Sequence, residues 1–70
     1  MEDKATICDL LCVALQATRN HGDLRSIQYV KEQNGDETAV LTWESGGQRR
    51  VNVSMDSGTA MIRDIMKAID

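Results

Sequence analysis

The sequence predicts an α+β fold: a two-layer α-β-β-β-α sandwich with a three-stranded antiparallel meander, strand order 1-2-3, and both helices on one face. Three observations predict it. Apolar residues recur with helical period at both ends of the chain. Between them, three short segments alternate apolar and polar residues. Asn34-Gly35 and Ser45-Gly46-Gly47 separate those segments so closely that successive strands must pair as hairpins.

The first helix is expected over 3–20. Ile7, Leu10, Leu11, Ala14 and Leu15 form its apolar stripe, with Asp3 at the N-cap or in the first turn. "RNHG" at 19–22 reads as its stop, with Gly22 in the left-handed position beyond the helix. The first strand, 25–32, turns Ile27 and Tyr29 to one side. The second, 37–44, has Ala39, Leu41 and Trp43 on one face and Thr38, Val40 and Thr42 on the other. The third, 48–54, places Val51, Val53 and Met55 opposite Arg50, Asn52 and Ser54. The second helix, 57–69, is capped by Asp56 or Ser57 and carries Met61, Ile62, Ile65, Met66 and Ile69 as its stripe. The expected core is Ile7, Leu10, Leu11, Ala14, Leu15, Ile27, Tyr29, Leu41, Trp43, Val51, Val53, Met61, Ile62, Ile65 and Ile69.

Seventy residues make one domain, 1–70. A chain this short buries only about 60% of its unfolded surface, so a partner or a second copy would help it. Charge is spread evenly. Of 11 acids and 8 bases, residues 1–20 hold three and two, residues 21–55 five and four, and residues 56–70 three and two. No basic block marks a nucleic-acid footprint. The acidic start lacks the basic region of a secretory signal, and no apolar run approaches the roughly 20 residues of a membrane helix. The expectation is a cytoplasmic protein with free thiols.

The chemistry-bearing residues are few. Cys8 and Cys12 sit four apart on one helix side and, with His21, supply at most three soft ligands where structural zinc takes four; core packing is the expected role. No nucleophile–base, paired-carboxylate or metal-hydrolase pattern surrounds His21, the only histidine, so no catalytic residue, metal or cofactor is expected and the chain reads as a non-enzyme. Asp56-Ser57-Gly58-Thr59 lacks the glycine spacing and lysine of a phosphate loop and reads as a helix start. Arg49 and Arg50 are strand neighbours that point to opposite faces, and they protect an edge strand better than they clamp a ligand.

In element order and length the chain resembles the double-stranded-RNA-binding domain. That resemblance implies a two-layer fold and phosphate-holding lysines at the start of the second helix. Here those positions are Asp56, Ser57, Gly58, Thr59 and Ala60, none of them basic. The family's Gly-Pro and His of the first hairpin are replaced by Asn34-Gly35-Asp36. The chain is also similar in size, acidity and architecture to small bacterial, phage or mobile-element accessory proteins, among them acidic anti-CRISPR proteins. That similarity implies a contact made by the sheet face and by the acidic turn residues Asp36, Glu37 and Glu44.

The expected function is that of a small interaction module, binding a protein partner or a second copy of itself, with no small-molecule substrate and no membrane. Its surface is the sheet face away from the helices: Gln28, Val30, Thr38, Val40, Thr42, Gln48, Arg50 and Asn52, a small apolar centre with a polar rim. The outer edges of the first and third strands offer backbone groups for strand addition. The alternative is nucleic-acid binding through Arg25, Lys31, Arg49 and Arg50, which predicts a steep loss of affinity with salt.

Overall fold

The computed structural model describes residues 3–18 and 20–69. Its element order is α1 (Lys4–Gln16), β1 (Leu24–Lys31), β2 (Glu37–Trp43), β3 (Gln48–Asn52) and α2 (Gly58–Ile69). The strands form one antiparallel sheet in order β1-β2-β3. Cys8, Cys12 and Leu15 of α1, and Met61 and Ile65 of α2, share one buried cluster with Ile27, Ala39 and Leu41 of the sheet. Both helices therefore lie on the same sheet face. Among the described residues, no helix is long and apolar enough to cross a membrane.

Each boundary has a local cause. Asp3 is the N-cap of α1: its carboxylate accepts from the Ala5 N–H at 3.0 Å and from the Thr6 hydroxyl at 3.1 Å. The helix ends at an Ala17 cap, earlier than expected, and Thr18 turns its hydroxyl back to the Leu15 carbonyl at 2.7 Å. Gly22 is not left-handed, so it is not the helix stop; Arg19 lies outside the described residues. The two hairpins share one design. Glu32 N–H donates to Asp36 O and Gly35 N–H to Glu32 O; Trp43 N–H donates to Gly47 O and Gly46 N–H to Trp43 O. Each is a three-residue loop whose last residue, Gly35 (φ 95°) or Gly46 (φ 92°), adopts the left-handed conformation that favours glycine.

The core differs from the expected one by a rotation of α1. Cys8, Cys12 and Leu15 are buried, Ile7 and Leu11 pack beside them, and Leu10 (66% exposed), Val13 and Ala14 face outward. The apolar residues of α1 run almost all round the helix, so periodicity alone could not choose the stripe. Ile62 is likewise exposed on α2, where Met61 and Ile65 carry the contact.

Leu24 is fully buried and was not expected in the core. A register shift between Leu24 and Ser26 sets both Leu24 and Ile27 on the helix face despite their odd spacing. Val53 is buried and Val51 half-buried, as alternation requires, but Met55 is 96% exposed. β3 stops at Asn52, and a turn closed by Asp56 N–H to Val53 O takes Met55 out of the alternation.

Candidate functional site

The sheet face away from the helices carries the eight expected residues, together with Ser26, in three cross-strand rows: Ser26–Thr42–Gln48, Gln28–Val40–Arg50 and Val30–Thr38–Asn52. Gln28, Gln48, Arg50 and Asn52 are exposed, and Val30 and Thr42 half-buried. The middle of the face is less open than expected. Thr38 is 7% exposed and Val40 6%, although no helix lies above them. Their neighbours account for this. Arg50 Nη1 meets Glu32 Oε1 at 3.1 Å, yet Arg50 stands on β3 and Glu32 just beyond the far end of β1. To meet, the two side chains reach diagonally across β2. The ion pair is a polar strap across the middle strand, running from beside Val40 past Thr38.

Arg49 and Arg50 diverge, as strand alternation requires. Arg49 stands opposite Leu41 and sends its guanidinium to the Ala68 carbonyl at the end of α2, a favourable place for a cation. Arg25 and Lys31 lie at the two ends of β1, about 20 Å apart at roughly 3.3 Å per residue. The four basic residues do not converge on one surface.

A polar cluster that sequence reasoning missed closes one end of the sheet. Lys4 Nζ donates to Glu37 Oε1 at 3.2 Å and to the Val53 carbonyl at 2.9 Å, while the Tyr29 hydroxyl donates to Glu37 Oε2. The Glu37 N–H is held by Ser54 Oγ at 2.8 Å. The Tyr29 hydrogen bond and Lys4 hold the Glu37 carboxyl below its ordinary range, and the same bond pushes the Tyr29 hydroxyl up. Three elements meet there, so no local pattern could have revealed it. Glu37 is therefore committed inside the fold, while Asp36 and Glu44 remain exposed.

The start of α2 is a helix cap. Ser57 Oγ accepts from Ala60 N–H at 3.3 Å and Ser57 O from Met61 N–H at 2.9 Å, so Ser57, not Asp56, is the cap. The Asp56 carboxyl instead faces the Asp64 carboxyl, and that pairing, with burial, pushes its pKa up; its Oδ2 is buried without a hydrogen-bond partner among the described residues.

Cys8 and Cys12 are free, and both are buried. Burial pushes both thiols up; at Cys12 the backbone N–H of Ile27 pulls the other way. Thiols held in this state are poor nucleophiles. Among the described residues no group of three or more His, Cys, Asp and Glu could hold a metal ion. A scan against family models and searches of curated proteins and solved structures found no match to this chain.

Proposed function

We propose that this chain is a non-enzymatic protein-interaction module whose contact is the sheet face away from the helices. One observation carries the reading. Both helices pack on one face, and the other presents three registered rows with an apolar centre and a polar rim. Such a face can exchange its hydration for a partner without disturbing the core. Arg50 is exposed and Glu32 half-buried, so their strap can open as a partner arrives. The nucleic-acid alternative is less well supported, because Arg49 and Arg50 have other partners and point apart.

The test compares two variants. Val30→Glu with Gln48→Glu charges the open face, and Leu10→Ser alters the outer surface of α1. Sedimentation across concentration detects a second copy, and capture by the tagged protein detects a different partner. The contact should be lost in the face variant and kept in Leu10→Ser. The reverse pattern would overturn the assignment. Salt-sensitive amide shifts with duplex RNA or DNA at Arg25, Lys31 and Arg50 would favour the nucleic-acid alternative instead.

A further inference from the structure

The three rows of the open face hold a single charge, Arg50. Its counter-charge is Glu32, the next residue on that side of the chain after Val30. The two stand at opposite corners of the face, with Thr38 near the middle of the diagonal between them. Asp36 lies beside Glu32 across the hairpin and adds to the acidic corner. Lys31 belongs to the other side of β1, where it is opposite Glu37. The face therefore has one basic corner, one acidic corner and a centre of Val30, Thr38 and Val40.

The rest of the rim is made of side-chain amides, Gln28, Gln48 and Asn52. An amide carries both donors and an acceptor, so it bonds a copy of itself as well as it bonds another group. Gln48 Nε2 donates to Thr42 Oγ1 at 3.2 Å, and Asn52 Oδ1 accepts from the Ser54 N–H at 2.9 Å. Those bonds use the donor half of one amide and the acceptor half of the other. An acceptor and a donor remain on the same strand.

We propose that the occupant of the open face is a second copy of this chain, seated about a two-fold axis that exchanges the Arg50–Glu32 pair. Each Arg50 leaves its own Glu32 and binds Glu32 of the other copy. The proposal rests on the reading of this face as the contact, and it names the partner. A two-fold interface is built from reciprocal contacts: where one residue meets a different one, the second copy returns the same contact. An axis that lies in the interface and crosses the Arg50–Glu32 diagonal at its midpoint, at right angles, gives that reciprocity. It sets each basic corner on the acidic corner of the other copy, and it brings the two centres together near Thr38. Arg50 set on Arg50 would repel, so charge selects this axis. The face is three strands wide, at about 4.8 Å between strands, and is smaller than the roughly 800 Å² per partner of a standard interface. The pair is therefore weak and forms at high protein concentration.

Charge reversal tests the exchange. Arg50→Glu and Glu32→Arg are made separately, and sedimentation follows each alone and the two mixed, from about 10 μM to about 1 mM at low salt. Each variant alone should associate about tenfold more weakly than the original chain, or weaker still, because both reciprocal contacts become repulsive. The equimolar mixture should recover the original affinity within about threefold, because the mixed pair again sets an acid against a base at both contacts. An unchanged amide spectrum in the helix layer confirms that each variant folds. The proposal is overturned by variants that associate as tightly as the original chain, by a mixture that does not recover, or by amide protection that appears on the β1 edge from Ile27 to Lys31. A chain that stays monomeric throughout also overturns it. Capture then separates the two claims. A different partner, lost in Val30→Glu with Gln48→Glu, leaves the face as the contact, whereas no partner at all removes both.

Discussion

The two faces of the sheet share every strand yet are built on different terms. On the helix face Leu41, Ala39 and Ile27 are sealed under α1 and α2 in one apolar cluster. On the other face Val40 lies one residue from Leu41 and is almost as buried, but no helix covers it: its cross-strand neighbours are Gln28 and Arg50, and Arg50 is tied to Glu32 across the middle strand. A low exposure value therefore hides two situations. Core burial is held by packing that only unfolding can remove, whereas burial under a surface ion pair can be undone by a side-chain rotation. The first kind sets stability, and the second leaves a surface free to be used.

The sharpest way to break this comparison is to truncate both neighbours. Leu41→Ala should cost about 2–5 kcal/mol, because its surroundings on the helix face cannot collapse. Val40→Ala should cost about 1 kcal/mol, because the strap and water can close over the gap. Denaturant midpoints measured side by side check the ratio. Equal losses would mean that the open face is as much a core as the other.

The next effect is one of pH, at the margins of the two layers. Glu37 has its folded pKa held down, so its stabilisation is present above its unfolded pKa and is lost as pH falls through the folded value. Asp56 has its folded pKa pushed up. Its contribution is present below its unfolded pKa and is lost as pH rises through the folded value. Glu37→Gln should therefore destabilise the protein at neutral pH, with the difference shrinking in acid. Asp56→Asn should stabilise it at neutral pH, and that gain should also vanish in acid. Melting curves from about pH 7 to pH 3 read both signs.

Smaller again is the arginine pair. Arg49→Ala removes a cation from the last carbonyls of α2 and should cost about 0.5 kcal/mol. Arg50→Ala breaks only an exposed ion pair and should change stability by less than about 0.5 kcal/mol. It should nevertheless raise the solvent accessibility of Val40, read as faster side-chain methyl relaxation by a soluble paramagnetic probe. A large stability loss at Arg50 with no change at Val40 would remove the strap from the account.

The fold was legible because local signals agreed. Period at the two ends, alternation between them and glycine at both turns all specify the same arrangement. The rotation of α1 was not legible, since Leu10 and Val13 are as apolar as the residues that won the core. Leu24 was missed because a bulge breaks alternation where no glycine or proline signals it. The eight residues of the open face follow from parity alone, and the register pairs them as parity requires. Its strap did not follow, because Arg50 and Glu32 are 18 residues apart, one on β3 and the other just beyond β1, two strands that do not pair with each other. The Lys4–Glu37–Tyr29 cluster was hidden for the same reason.

The most direct test of the open face as the contact is an amide shift map of the labelled protein, recorded dilute, concentrated and with the partner it captures. The account predicts shifts clustered at Gln28, Val30, Thr42, Gln48, Arg50 and Asn52, with the helix layer unmoved. Shifts clustered at Leu10, Val13 and Ile62 would contradict it and move the contact to the outer surface of the helices.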